Sequence, residues 1–529
     1  MTEPASSPDA SAETAARIAA AYAGAGPAIA LGSVVHGGIP HPDAAVRVPL
    51  AMLNRHGLIA GATGTGKTKT LQLIAEQLSA AGVPVVLADV KGDLSGLAQP
   101  GTASERTTQR AAQTGDDWAP GGFPVEFLAL GGLGTGVPVR ATLTDFGPLL
   151  LSKVLDLNDT QESSLGLIYH YADGAGLPLL DLQDLRAVIQ WLLSDEGKPE
   201  LKNLGGLSSS TASVLLRKLI ALAELGGDVF FGEPQFDPPD VLRTTDDGRG
   251  VVTAVELTGV QDRPALFSTF LMWLLGELFE ELPEVGDVDK PKLIFFFDEA
   301  HLLFADASKA FLESVSQTVR LIRSKGVGIF FVTQNPTDVP SAVLGQLGNR
   351  VQHALRTFTP DDAKALRRTV STFPATDDYE LEELLTSLGI GEAAVTVLSD
   401  RGTPTPVAWT MLRAPRSLMA PVDPAAMQQA VQSSPLFAKY GQPVDRDSAY
   451  ERLAARLAPP PPPPPPASAP APPPEPPRPR SRRRAEPPAD EGVIGSVLGS
   501  AAFRSFTRSA ASALGRELSR GLFGTRRRR

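Results

Sequence analysis

The sequence predicts an α/β fold in which a mostly parallel sheet is covered by helices and interrupted by an all-helical segment. Short apolar runs alternate with helical patterns over residues 27–144 and 241–415, the rhythm of strand–helix–strand units. Over residues 145–240 the apolar residues recur only at helical spacing. The chain has 529 residues, of which 42% are hydrophobic. That suits either two to three domains of about 150 residues or one large domain with insertions and tails.

The stretch GATGTGKT at residues 61–68 is the strongest local signal. An apolar run at residues 57–60 precedes it and a helical pattern follows, which is the context that a phosphate-binding loop requires. Glycines let the backbone N–H groups point inward, and the following helix adds its positive end. We expect Lys67 to reach the β- and γ-phosphates of ATP, and Thr68 to bind Mg²⁺. The predicted nucleotide contacts are Gly61, Ala62, Thr63, Gly64, Thr65, Gly66, Lys67, Thr68 and Lys69.

Two adjacent carboxylates follow another predicted strand. Residues 294–297 are apolar and run directly into Asp298 and Glu299. Because the carboxyl ends of parallel strands meet at one edge of a sheet, these acids are expected to lie where the phosphate loop opens. We expect Asp298 to hold Mg²⁺ and Glu299 to polarise the attacking water. Gln334 ends the next strand, residues 327–333, and is expected to sense the γ-phosphate or that water.

Acidic residues also end the strand predicted over residues 83–88. Asp89 and Asp93 follow it, at the edge where open α/β sheets bind ligands. They are equally suited to a site role and to an ordinary role as loop acids or helix caps. Both interpretations stay open on the sequence.

Hydrolysis of ATP also needs a cation at the transferred phosphate. Arg320, Arg323 and Arg350 are the candidates for an arginine finger, which ring ATPases supply from the neighbouring subunit. The sequence does not choose among them.

Composition excludes several other chemistries. The chain has no cysteine, which excludes disulfides, thiolate zinc sites and cysteine nucleophiles. Its six histidines show no metal-ligand spacing, so Mg²⁺ is the one metal that the sequence suggests. The acidic, polar N-terminus lacks the basic start and apolar core of a signal peptide. The most apolar helical stretch, residues 265–276, is too short to span a membrane, and a cytoplasmic location is expected.

Charge is distributed unevenly along the chain. From Pro459 onward there are thirteen arginines and five acidic residues, a net charge of +8, so the first 458 residues carry −18. The acidic body weighs against a broadly basic nucleic-acid surface but not against DNA binding in a lined channel. Residues 459–490 are proline-rich and predict an extended linker. Residues 491–529 predict a basic amphipathic helix suited to DNA phosphates, a protein partner, an anionic membrane or its own ring.

These patterns divide the chain into seven predicted segments. They are a flexible N-terminal tail at 1–26, the first part of the core at 27–144, a helical insertion at 145–240, the second part of the core at 241–415, a helical extension at 416–458, the disordered proline-rich linker at 459–490 and the basic helix with its tail at 491–529.

Several motifs together resemble the HerA–FtsK superfamily of P-loop ATPases, and within it the YjgR-like branch. The resemblance covers roughly residues 27–415. The motifs that carry it are GATGTGKT at 61–68, DVKGDL at 89–94, DEAH at 298–301 and FVTQNP at 331–336, supported by NRHG at 54–57, GVQDRP at 259–264 and GQLGNRVQH at 345–353.

This resemblance implies a RecA-like core that forms a hexameric ring and couples ATP hydrolysis to movement of double-stranded DNA. Lys67, Thr68, Asp298, Glu299 and Gln334 match the family's site residues by position. HerA relatives have a complete small barrel before the core, whereas about thirty patterned residues precede the loop here. The alternative function is an ATP-dependent scaffold or switch that binds a protein or an anionic membrane through the basic C-terminal helix.

Overall fold

A twelve-stranded sheet is the centre of the described part of the chain. The computed structural model describes residues 8–24, 26–203, 206–286, 288–305, 307, 309–399 and 401–457. The proline-rich linker predicted at 459–490 and the basic helix predicted at 491–529 lie outside the described residues. The chain divides into two units, one ending at Tyr450 and one beginning at Glu451, and the whole sheet belongs to the first.

The sheet has a parallel part and an antiparallel part. Its strands are β1 (Ala28–His36), β2 (Ile39–Pro49), β3 (Gly57–Ala60), β4 (Val85–Asp89), β5 (Val125–Leu130), β6 (Val137–Val139), β7 (Val252–Glu256), β8 (Leu293–Phe297), β9 (Val327–Thr333), β10 (Asn349–Gln352), β11 (Glu392–Thr396) and β12 (Ala408–Leu412). Their order is β2-β1-β12-β11-β10-β3-β9-β8-β4-β7-β5-β6. Neighbours from β10 to β6 are parallel, and the pairs from β2 to β10 are antiparallel. The predicted α/β class with a mostly parallel sheet is confirmed.

The central parallel strands are apolar because both of their faces are covered. Every residue of β3, β4, β7, β8 and β9 is buried. Aromatic rings pack across the strands: Phe297 of β8 and Phe331 of β9 stack with ring centroids 5.4 Å apart. This packing fixes the carboxyl ends of the strands, where the candidate site lies.

Helices follow most of the parallel strands. They are α1 (Pro8–Ala20), α2 (Lys67–Ala80), α3 (Glu105–Thr114), α4 (Leu143–Val154), α5 (Asp159–Gly174), α6 (Leu182–Leu193), α7 (Lys198–Asn203), α8 (Ser209–Leu222), α9 (Asp228–Phe230), α10 (Pro264–Glu281), α11 (His301–Phe304), α12 (Lys309–Ile322), α13 (Ser341–Leu344), α14 (Pro360–Val370), α15 (Leu381–Ser387), α16 (Pro424–Ser433), α17 (Pro435–Tyr440) and α18 (Ala449–Leu457). Proline opens α10 and α14 because the first turn of a helix does not need its missing N–H. Within the described ranges, no helix combines the length and the apolarity needed to cross a bilayer.

The all-helical part of the predicted fold corresponds to α4 to α9, between β6 and β7. An aromatic cluster holds it together: the ring centroids of Phe146 in α4 and Phe231 are 5.1 Å apart. Phe230 lies 5.7 Å from Phe270 of α10, again between ring centroids. These contacts attach the helical segment to the helix that follows β7.

The prediction of a flexible tail at residues 1–26 is wrong for residues 8–24. This segment contains α1, and α1 packs against the β1–β2 hairpin. Composition alone suggested a tail because the segment is rich in small and polar residues. Apolar side chains at helical spacing, in α1 and just after it, are nevertheless buried. They are Ala15, Ile18 and Tyr22.

We expect Tyr22→Ala to lower the free energy of unfolding by roughly 3–5 kcal/mol, as for other large buried rings. The Tyr22 side chain is 2% exposed, and its hydroxyl lies 2.7 Å from Val395 O and 2.5 Å from Pro406 O. Urea titration of both proteins measures the change. The matched control is Phe358→Ala, since Phe358 is 83% exposed. A loss no larger than that of the control would contradict the packing of the segment that directly follows α1.

The prediction of an exposed loop at residues 101–122 is also wrong in part, because α3 lies within this range. Ser104 begins the helix: its hydroxyl accepts from Thr107 N at 3.2 Å, and Thr107 Oγ1 accepts from Ser104 N at 2.8 Å. The buried residues of α3 are Thr107 and Thr114, so the helix has no apolar stripe. Capping, rather than hydrophobic periodicity, was the available signal.

Candidate active site

The candidate site lies at the carboxyl edge of β3, β9, β8 and β4. In the sheet, β9 pairs on one side with β3 and on the other with β8. The segment that follows β9 therefore lies between the GATGTGKT loop after β3 and the carboxylates after β8. The structure thus brings the loop, Asp298, Glu299 and Gln334 to one edge.

The loop wraps over the N-terminal end of α2. Gly61 N donates to Thr333 O at 3.2 Å, which fastens the start of the loop to the end of β9. Gly64 and Gly66 have φ angles of 81° and 113°, in the left-handed region that favours glycine. Gly66 is also the N-cap of α2. The positive end of this helix faces the loop interior, where an anion is stabilised.

The other predicted contact residues lie partly in the loop and partly in the first turn of α2. Thr63 is exposed at its tip, and the Thr65 hydroxyl donates to Ala62 O at 2.7 Å. Thr68 and Lys69 are partly buried in the first turn of α2. The Thr68 hydroxyl is therefore placed on the helix turn that borders the loop interior, where an anion would be stabilised.

Lys67 is held by the loop itself. Its Nζ donates to Gly61 O at 2.7 Å and to Ala62 O at 3.2 Å. Burial lowers the pKa of Lys67, and the nearby carboxylates of Glu299 and Asp298 oppose that shift. These interactions show that Lys67 and the two acids share one electrostatic environment.

His353 supports the loop from behind, a role that the sequence motifs did not predict. Its Nε2 lies 2.9 Å from Thr70 Oγ1 in α2, and it is fully buried. A Cβ at Gly61 would lie 2.5 Å from His353 Cβ, so this close approach requires glycine. Burial and, to a smaller extent, the charge of Lys67 lower the pKa of His353 to about 4. The available signal was its position directly after β10, at the same sheet edge.

Asp298 lies directly after β8 and is mostly buried. Its Oδ1 accepts the Glu299 N–H at 2.9 Å. Burial, reinforced by the carboxylate of Glu299, raises the pKa of Asp298 to about 6. The charge of Lys91 opposes this shift but does not cancel it. A carboxylate with a hydroxyl is an oxygen set that suits Mg²⁺.

Glu299 has a backbone conformation that is uncommon for residues other than glycine, with φ at 47°. Its side chain is 10% exposed; Lys91 Nζ lies 2.7 Å from Oε1, and His301 Nδ1 lies 3.3 Å from Oε2. Burial favours a higher pKa for Glu299, but the hydrogen bond and charge of Lys91, helped by His301, hold the pKa below its ordinary value. The side chain is therefore an ionised carboxylate, as polarisation of water requires.

Asp89, whose role the sequence left open, caps the loop after β4. Its Oδ1 accepts Gly92 N at 2.8 Å and its Oδ2 accepts Leu94 N at 3.0 Å. Burial, and next the charge of Glu256, raises the pKa of Asp89 to about 7. The side chain thus shapes the loop that carries Lys91, a residue whose part in the site sequence reasoning missed. The position of Lys91 just beyond a parallel strand was the available signal.

Gln334 is exposed at the end of β9. The backbone around it is fixed, because Asp338 Oδ2 accepts from Thr333 Oγ1 at 2.7 Å and from Asn335 N at 3.0 Å. The side chain therefore projects from a firmly held position between the loop and the carboxylates.

The three candidate arginines lie toward the amino ends of the strands, away from the loop. Arg320 is in the last turn of α12 and Arg323 directly follows that helix, just before β9 begins. Arg350 is in β10, opposite Leu58 of β3. Its guanidinium donates to backbone oxygens of three residues, which are Leu344, Leu347 and Thr372. An arginine finger from this set would therefore act on the site of a neighbouring subunit.

The residues at this edge fit a magnesium-bound nucleoside triphosphate. Among the described residues, Glu299 Oε2 and Asp93 Oδ1 are buried and accept no hydrogen bond. Such acceptors, with Asp298 and the Thr68 hydroxyl, suit a hydrated Mg²⁺, which would neutralise charge on the phosphates. Lys67 is bound only to loop carbonyls within these ranges and can exchange them for phosphate oxygens.

Comparisons with known proteins give similarity to solved structures and to one family. The chain is similar to the bacterial conjugative coupling protein TrwBdeltaN70 in its unbound form, at 14% identity and a TM-score of 0.49, covering 77% of this chain and 94% of that one. It is similar to VirB4 of Thermoanaerobacter pseudethanolicus at 16% identity and a TM-score of 0.46, covering 76% of this chain and 99% of that one. No curated protein sequence matches the chain. The family model described as "Helicase HerA-like C-terminal" matches residues 37–529.

Proposed function

Because the chain belongs to the helicase HerA-like C-terminal family, we propose that it is an ATP-hydrolysing motor that uses Mg²⁺. The observation that carries the proposal is the convergence of Lys67, Asp298 and Glu299 at one sheet edge, with Glu299 held as a carboxylate. Phosphoryl transfer needs positioning and charge stabilisation more than covalent chemistry, and this group of side chains supplies both.

Each side chain has a distinct role in this proposal. Lys67 leaves the loop carbonyls and binds the β- and γ-phosphates, while Thr68 and Asp298 hold Mg²⁺. Glu299 orients and polarises the attacking water, and Gln334 contacts that water or the γ-phosphate. The three candidate arginines lie away from the loop of their own chain, which favours a ring in which a neighbouring subunit completes the site. We infer a hexamer that moves along double-stranded DNA or remodels it.

Double-stranded DNA is expected to stimulate ATP hydrolysis, because a motor couples its ATP turnover to movement along the DNA that it binds. Steady-state hydrolysis is measured with linear double-stranded DNA, with single-stranded DNA, with anionic vesicles and with no addition. The control is Glu299→Gln under the same four conditions, which separates this site from contaminating ATPases. Stimulation by vesicles alone would favour the scaffold or switch that binds a membrane, and no response to DNA would contradict the motor.

A cytoplasmic location remains a prediction.

A further inference from the structure

We propose that Lys91 is a positioning residue for Glu299, which it holds in the orientation that aims one carboxylate oxygen at the attacking water. The inference rests on the proposed ATPase function and assigns a residue that the phosphate-loop and strand-end motifs do not include. It is carried by the geometry of the loop after β4 and by the way that the two oxygens of Glu299 are used.

The loop after β4 is built to deliver Lys91 to the neighbouring strand end. β4 and β8 are adjacent and parallel, so their carboxyl ends open on the same side. Asp89 fixes the loop through hydrogen bonds from Gly92 N at 2.8 Å and Leu94 N at 3.0 Å. Gly92 has a φ of 74°, which permits the tight turn. Lys91 therefore leaves a rigid backbone and reaches Glu299, 208 positions later in the sequence.

The ion pair is not an ordinary surface contact. The Lys91 side chain is 52% exposed, but that of Glu299 is only 10% exposed. A buried carboxylate depends on its partner more than an exposed one does, because water cannot replace the lost hydrogen bond. Glu299 also has its backbone in the left-handed region, so the surroundings must hold it there.

The two oxygens of Glu299 have different partners. Oε1 accepts the Lys91 hydrogen bond at 2.7 Å. Oε2 is buried and accepts no hydrogen bond from the described residues, with His301 Nδ1 3.3 Å away. Lys67, the other cation nearby, donates to Gly61 O and Ala62 O instead. Lys91 thus fixes one oxygen and leaves the other as a buried acceptor without a donor among the described residues. Such an acceptor can receive a hydrogen bond from the attacking water, which phosphoryl transfer needs to have positioned.

The test compares Lys91→Met, Lys91→Arg, Glu299→Gln and the double variant Lys91→Met/Glu299→Gln in the full chain. The matched control is Lys290→Met, because Lys290 is another hydrogen-bonded lysine, which donates to the backbone oxygens of Ala81 and Gly82 at the opposite sheet edge. The kcat and KM for Mg·ATP are measured for each protein, together with thermal unfolding.

We expect Lys91→Met to lower kcat on the order of 10- to 100-fold through misplacement of the carboxylate, with KM changed by less than about threefold. Lys91→Arg should recover most of the loss, since a guanidinium can donate the same hydrogen bond. The double variant should be no slower than Glu299→Gln, because Lys91 acts through Glu299. Lys290→Met should match the wild type.

Two kinds of failure are distinguishable. If the wild-type chain hydrolyses no Mg·ATP, the proposed function is wrong and the role of Lys91 falls with it. If the wild type is active, an unchanged kcat in Lys91→Met overturns only the inference about Lys91. A change in KM without a change in kcat would also overturn it. The same holds if the double variant is slower than Glu299→Gln by the whole factor that Lys91→Met costs in the wild type. It holds as well if Lys91→Arg folds but does not recover kcat.

Discussion

Glu299→Gln is expected to lower ATP turnover by roughly 10²- to 10⁴-fold, the usual contribution of a positioned acid–base group. Glutamine keeps the size of the side chain but removes the negative charge that is proposed to polarise water. Nucleotide affinity should remain, since the proposed phosphate contacts come from the loop at residues 61–69. Phosphate release gives kcat, and titration with a fluorescent nucleotide gives Kd.

Glu382→Gln is the matched control for this experiment. Glu382 is exposed on α15, so the same chemical change there should leave turnover and affinity as in the wild type. Turnover of Glu299→Gln within about threefold of the wild type would remove Glu299 from the acid–base role. A loss of nucleotide binding equal to the loss of turnover would instead indicate that the site had collapsed.

Arg320→Ala is expected to cost on the order of 10³-fold or more in turnover while sparing nucleotide binding, as the loss of an arginine finger does. Arg320 is exposed and forms no ion pair within the residues that the structure describes. Arg350 is occupied by backbone oxygens, and Arg323 lies near His56 at the amino end of β3. Arg320 is therefore the strongest of the three candidates for reaching a neighbouring subunit.

Mixed rings provide the sharpest measurement of this prediction. Arg320→Ala and Glu299→Gln should each be nearly inactive alone, but mixing them should restore turnover. At some interfaces, one subunit then supplies an intact Glu299 and its neighbour supplies an intact Arg320. Arg350→Ala is the comparison: it should lower stability by roughly 1–3 kcal/mol, because backbone oxygens lose their donors. Near-normal turnover in all three arginine variants would exclude the in-trans finger.

Local sequence determined the parts of this protein that depend on neighbours along the chain. Strands such as Leu293–Phe297 were predictable because a strand covered on both faces is apolar throughout. The first residues of the helices Pro264–Glu281 and Pro360–Val370 were predictable because proline favours the first helical turn. The glycines and Lys67 of the phosphate loop were predictable because the strand–loop–helix context is contiguous.

Tertiary structure alone decided which distant segments meet. The placement of β9 between β3 and β8 is a sheet order that no local periodicity encodes. The contact of Lys91 with Glu299 joins positions 208 apart, and that of Thr70 with His353 joins positions 283 apart. Helix α1 was missed because its stability comes from the hairpin that it covers. Periodicity and turn chemistry are local properties, whereas burial, pKa shifts and the pairing of site residues arise only when distant strands are packed side by side.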